Sequence, residues 1–166
     1  VGIKDLPQFA RDERTLPSDV REHLHAVVRR WMDPNQDGDP SDGIDGWRLD
    51  VAADVPLPFW EEFRGWVKGL NPNAYLTGEI WWDNFNKYTF HNAKPWLDRA
   101  FDGVMNYRFG DAVFQFFNQP EAITATQFTS LLTDIHRDYG YERSLHLQNL
   151  FGSHDTSRLG SAVVNP

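Results

Sequence analysis

The chain has 166 residues, 40% of them hydrophobic and 14% aromatic, enough apolar material for one domain with a sizeable core. Its 24 acidic and 16 basic side chains leave a formal charge of -8, which disfavours nucleic acid and anionic membranes as partners but would not repel a neutral ligand. With no cysteine there is neither a disulfide nor a thiolate metal site, and no apolar run approaches the roughly 20 residues needed to span a bilayer.

The sequence runs from Val1 to Pro166 with no methionine start and no signal-like segment, so it reads as a piece of a longer chain whose compartment, cytoplasmic or periplasmic or secreted, stays open. Residues 1–16 read as irregular, with Leu6-Pro7-Gln8-Phe9 as the one compact feature. Ser18 is the expected N-cap of a helix in which Val20, Leu24, Val27, Val28 and Trp31 recur on one face, ending at Asp33-Pro34. The acidic segment that follows places side-chain oxygens at Asp33, Asn35, Asp37 and Asp39 around Gly38, which resembles the opening of an EF-hand loop and makes bound Ca2+ an expectation. Position twelve of that loop is Ile44 rather than Glu, so Ser41, Asp42, Asp45 or groups elsewhere would have to complete the cage.

Residues 44–51, with apolar Ile44, Trp47, Leu49 and Val51 after an Asp-Gly turn, predict a buried strand that carries charge. Arg48 and Asp50 are two residues apart, hence on one face, and an arginine there would orient the carboxylate and keep it ionised. Pro56 and Pro58 open a helix whose Phe59, Trp60, Phe63, Trp66, Val67 and Leu70 form a broad apolar face, closed by Gly69 and Asn71-Pro72. Residues 74–82 predict a second buried strand with Glu79 near its end. Residues 83–102 read as a polar and aromatic connection anchored by Trp96 and Leu97. A short third strand is expected at 103–107, helices at 109–117 and 126–139, and a fourth strand at 145–152 leading into Ser153-His154-Asp155-Thr156.

This alternation is that of an α/β protein with a parallel sheet and crossover helices. Three expected strands end near a carboxylate, Asp50, Glu79 and Asp155, and in parallel sheets and barrels the carboxyl ends lie on one face, where active sites are built. Two carboxyl groups roughly 5 to 5.5 Å apart, one ionised and one protonated, are the apparatus of a retaining glycosidase. Asp50 beside Arg48 suits the nucleophile. Glu79, set among Ile80, Trp81 and Trp82, would be desolvated and suited to hold a proton for the leaving oxygen, and the indoles suit the stacking of sugar faces.

The motifs G-W-R-L-D-V-A-A-D-V, G-E-I-W and F-G-S-H-D, in this order, resemble the second, third and fourth signature regions of the α-amylase superfamily, glycoside hydrolase family thirteen. The resemblance implies part of a TIM (β/α)8 barrel, roughly strands four to seven with their helices, so that 1–166 is a partial catalytic domain lacking the first strands and the last. It implies Asp50 as nucleophile, Glu79 as general acid/base and Asp155 as the third acid, binding sugar hydroxyls, with Arg48 and His154 in support. F-D-G-V-M-N-Y, V-A-A-D and P-W-L are similar to the cyclomaltodextrinase, neopullulanase and maltogenic amylase group. That group implies hydrolysis of α-1,4 linkages, with α-1,6 linkages as the other candidate, in maltooligosaccharides, cyclodextrins or pullulan, with no organic cofactor. The chain departs from the group at Leu6-Pro7-Gln8-Phe9-Ala10, where M-P-K-L-N is usual, and at Val51-Ala52-Ala53-Asp54, where V-A-N-E is usual, which leaves the linkage preference open. A transglycosylase sharing the same intermediate and a non-catalytic sugar-binding or scaffold fragment are the alternatives. Homo-oligomer formation is open, and the isolated piece is expected to be inactive.

Overall fold

The computed structural model describes residues 9, 11–84, 87, 89–118 and 122–162. Leu6, Pro7, Gln8 and Ala10 lie outside the described residues, as does the terminus at 163–166.

Helix α1, Ser18–Met32, packs through Val28 and Met32, with Val20 and Leu24 against the same cluster. Ser18 is its first helical residue rather than its cap: the N-cap is Pro17, whose lack of a side-chain oxygen leaves that end without a capping bond. Trp31, expected on the buried face, is 57% exposed, and Met32 one residue on takes the core position. Strand β1, Gly46–Leu49, lies edge-on to β2, Tyr75–Gly78, in parallel register from Gly46 opposite Tyr75 to Leu49 opposite Gly78. A Cβ at Gly46 would collide with the Tyr75 carbonyl oxygen, so only glycine allows the two strands to start this close together.

The crossover from β1 to β2 is α2, Leu57–Leu70. Its Phe59, Trp60, Phe63 and Val67 are buried, and its rings meet Trp47 and Phe101 edge-on or tilted. Trp60 Nε1 donates to the Ala52 carbonyl at 2.8 Å, tying the helix to the turn that leaves β1. The stretch expected to be a plain connection holds an antiparallel hairpin, β3 (Trp82–Asn84) with β4 (Thr89–Phe90), and a short helix, α3 (Lys94–Arg99). Such short elements carry too few residues for a period to show. Leu97 is buried and Trp96 packs on the same core, as the sequence suggested.

Strand β5, Gly103–Asn106, is buried throughout and pairs parallel with β2. Helices α4 (Tyr107–Asn118) and α5 (Ala125–Tyr139) follow; Thr124 and Gln127 close a capping box at the start of α5. The expected fourth strand shrinks to β6, Gln148–Asn149, parallel to β5. Its first half is wound up instead: Gly140 (φ 85°) breaks α5, helix α6 spans Tyr141–Ser144, and the N–H groups of Leu145 and His146 close turns onto Glu142 and Arg143. Helix α7, Leu159–Ala162, is the last described element.

The main sheet therefore runs β1-β2-β5-β6, all parallel, each strand added beside the last in chain order. That is the progression of a barrel wall, and it sends all four carboxyl ends to one edge. At the opposite edge Asp102 accepts from the Leu76 N–H at 2.9 Å and pairs with Arg64 at 2.9 Å and Lys68 at 2.8 Å. Among the described residues no helix is long and apolar enough to cross a membrane.

Candidate active site

Asp50 is the first residue beyond β1, and Val51 after it adopts the left-handed conformation at φ 47°. A β-branched residue avoids that region, so the turn is held by its surroundings rather than by preference. What holds it is Glu79. The Val51 N–H donates to Glu79 Oε2 at 2.9 Å, the Ala52 N–H to the Glu79 carbonyl at 3.1 Å, and the Glu79 N–H to the Leu49 carbonyl at 2.9 Å. The turn after β1 and the residue after β2 are thus joined at backbone and side chain alike.

Arg48 binds both acids. Its Nη1 hydrogen-bonds Asp50 Oδ1, and its Nη2 lies 2.9 Å from Glu79 Oε1. One guanidinium thereby brings the two carboxylates together, the convergence the sequence implied. Burial works against the Arg48 charge, but the Asp50 hydrogen bond and the Glu79 charge outweigh it and hold the guanidinium above its ordinary pKa. The two acids differ sharply in access: the Asp50 side chain is 67% exposed, that of Glu79 9%. Glu79 is not left among aliphatic and indole groups alone, as its neighbours in sequence suggested, since three donors reach it.

The third donor is Tyr107, which sequence reasoning did not single out. Its hydroxyl lies 3.2 Å from Glu79 Oε1, and its ring stacks on Trp81 with centroids 4.0 Å apart and planes 3° from parallel. Burial pushes the phenol up to about 12; the Ser153 hydroxyl opposes this, and the Glu79 and Asp155 charges add to it. The signal was present: Tyr107 directly follows a strand, the position where the three acids were sought.

Asp155 lies beyond β6, its N–H donating to Ser153 Oγ at 3.1 Å and its Oδ2 lying 3.1 Å from His154 Nε2. Its charge reaches the Tyr107 hydroxyl. The His154 side chain is 68% exposed. Trp81 and Trp82 are half-buried and stacked on one another, and Trp82 stacks in turn on Phe90 at 4.5 Å, so Tyr107, Trp81, Trp82 and Phe90 line up as one aromatic series beside Glu79.

The acidic loop is braced by its own side chains. Asp33 accepts from the N–H groups of Asp37 and Gly38, Asn35 from Asp37, Asp37 from Asp39, and Asp39 from Ser41. These oxygens face the loop's own backbone, and among the described residues no group of three or more His, Cys, Asp or Glu is arranged to hold a metal.

A family model described as alpha amylase, catalytic domain, matches residues 10–165. Neopullulanase 2 of Thermoactinomyces vulgaris is 44% identical over 159 residues, covering 95% of this chain and 23% of that protein. Cyclomaltodextrinase of Geobacillus thermopakistaniensis is 44% identical over 155 residues, covering 93% of this chain and 23% of its own length. Among solved structures, the cyclic alpha-maltosyl-(1→6)-maltose hydrolase from Arthrobacter globiformis, in complex with cyclic alpha-maltosyl-(1→6)-maltose, matches with TM-score 0.73 and 32% identity, covering 88% of this chain and 29% of that one. The chain spans about a quarter of the length of the curated relatives it matches.

Proposed function

From the premise that the chain belongs to the alpha-amylase catalytic-domain family and forms part of its (β/α)8 barrel, we propose that it carries the reacting acids of a retaining α-glucan hydrolase. In this reading β1, β2, β5 and β6 are strands four to seven of the barrel, and the remainder of the enzyme supplies the rest of the wall and of the substrate cleft. The substrates are maltooligosaccharides, cyclodextrins or pullulan, the class to which the names of the relatives point.

The observation that carries the reading is the single guanidinium of Arg48 on both Asp50 and Glu79. Asp50, open to solvent and oriented by Arg48, attacks the anomeric carbon as the bond to the leaving oxygen breaks. Glu79 delivers its proton to that oxygen, leaving a glucosyl ester on Asp50. A water then attacks the same carbon, Glu79 takes its proton, and Asp50 is released. Asp155 and His154, beyond β6, bind hydroxyls of the sugar being transferred, and Trp81 with Trp82 offers an apolar wall to the neighbouring ring.

The test is made in the full-length enzyme. Asp50→Asn should abolish the glycosyl-enzyme seen by mass spectrometry, and Glu79→Gln should lower kcat on maltooligosaccharides by roughly 10²- to 10⁴-fold while sparing aryl glycosides with good leaving groups. Equal losses on both kinds of substrate would remove Glu79 from the acid role.

A further inference from the structure

We propose that Tyr107 is a positioning residue for Glu79, its hydroxyl holding the carboxylate while a stack on Trp81 holds the ring. The proposal rests on the reading of Glu79 as the general acid/base.

The phenol has one proton to give. Glu79 Oε1 at 3.2 Å is its stronger acceptor, and the Met105 sulfur, 3.9 Å away, is the weaker. The contact joins the residue after β5 to the residue after β2.

The ring is fixed independently of its hydroxyl. Tyr107 is 4% exposed, and the stack on Trp81 sets its plane. Trp81 stands two residues beyond Glu79, so the ring that directs the phenol to the acid is carried by the same segment as the acid. Glu79 is then restrained on both oxygens, Oε1 by Arg48 and Tyr107 and Oε2 by the Val51 N–H. A glutamate has several rotatable bonds, and a general acid must meet the leaving oxygen within hydrogen-bond reach, so each restraint that keeps it there acts on kcat.

Tyr107→Phe in the full-length enzyme removes the hydroxyl and keeps the stack. The expected result is a fall in kcat of about tenfold on maltooligosaccharides, the size of one hydrogen bond to a charged group, with KM changed little. The alkaline limb of the kcat/KM profile should also move to higher pH, because the carboxylate loses a donor that favours its ionised form. Arg48 and Asp50 at the end of β1, and His154 and Asp155 beyond β6, also face this site and are unaltered in the variant. Met105→Leu repacks the same ring and leaves the hydroxyl, so it should leave the profile in place.

An unmoved alkaline limb and unchanged kcat in Tyr107→Phe would overturn the proposal, as would an equal displacement of the limb in Met105→Leu. Glu79→Gln is run alongside, with azide and an activated aryl glycoside. If azide restores turnover as a glycosyl azide while Tyr107→Phe is silent, Tyr107 alone has been misread. If azide restores nothing and leaving-group ability has no influence, the acid/base reading fails and this proposal with it.

Discussion

Replacing Arg48 by lysine keeps a positive charge near the two acids and removes the fork that lets one group serve both. In the native arrangement Nη1 meets Asp50 and Nη2 meets Glu79 at 2.9 Å, whereas a lysine ammonium is a single point on a flexible stem. It can satisfy one carboxylate at a time, so one charge-assisted hydrogen bond is lost. Such bonds contribute about 1.5–3 kcal/mol, and the 30% exposure of the Arg48 side chain places the effect toward the lower end because water reaches the site. At 1.36 kcal/mol for each tenfold change in rate, kcat/KM should fall between about 10- and 100-fold. The measurement is kcat/KM of the full-length Arg48→Lys enzyme on a maltooligosaccharide, with circular dichroism and thermal unfolding compared against the parent. A well-folded Arg48→Lys enzyme with kcat/KM within threefold of the parent would refute the bridging role, and so would a loss confined to KM.

Asp102 governs a different property. Burial would raise its pKa, but hydrogen bonds from Lys68, the Leu76 N–H and Arg64 outweigh burial and hold it below the usual carboxylate range. Its stabilising effect is therefore present above the unfolded-state pKa and lost as pH falls through the depressed folded value. Asp102→Asn should flatten the loss of thermal stability as pH falls below the ordinary carboxylate range, and an acid limb as steep as that of the parent would contradict this. Thr124→Ala removes the capping box of α5, which should weaken that helix by about 1 kcal/mol and speed amide hydrogen exchange across Ala125–Tyr139, while Thr124→Ser should not.

The elements that sequence reasoning located well are those whose pattern has one physical cause. Residues around Arg48 and Asp50 and around Glu79 are short apolar runs bounded by turns, and both became parallel strands, β2 buried from Leu76 onward and β1 buried only at Leu49. Alternation along a strand put Arg48 and Asp50 on one side, and they pair there. The failures have causes too. Leu145, Leu147 and Leu150 looked like one strand, yet the residues before β6 satisfy their N–H groups in helical turns and leave Leu145 60% exposed. Trp31 fits the helical period but falls at the edge of the buried face. Val51 is among the residues least suited to a positive φ, so nothing in its identity announced the turn that presents its N–H to Glu79. Tyr107 escaped because the search along strand ends was for carboxylates, and a phenol that restrains a carboxylate carries no charge of its own.

The forked arginine also has a consequence for the order of events in the proposed double displacement. Before reaction, an ionised Asp50, a protonated Glu79 and Arg48 sum to zero. Once Asp50 is esterified and Glu79 has released its proton, the sum is zero again, because the negative charge has migrated from one arm of the guanidinium to the other. The cluster need never carry a net charge at either resting point, and the cation need not move to follow the anion.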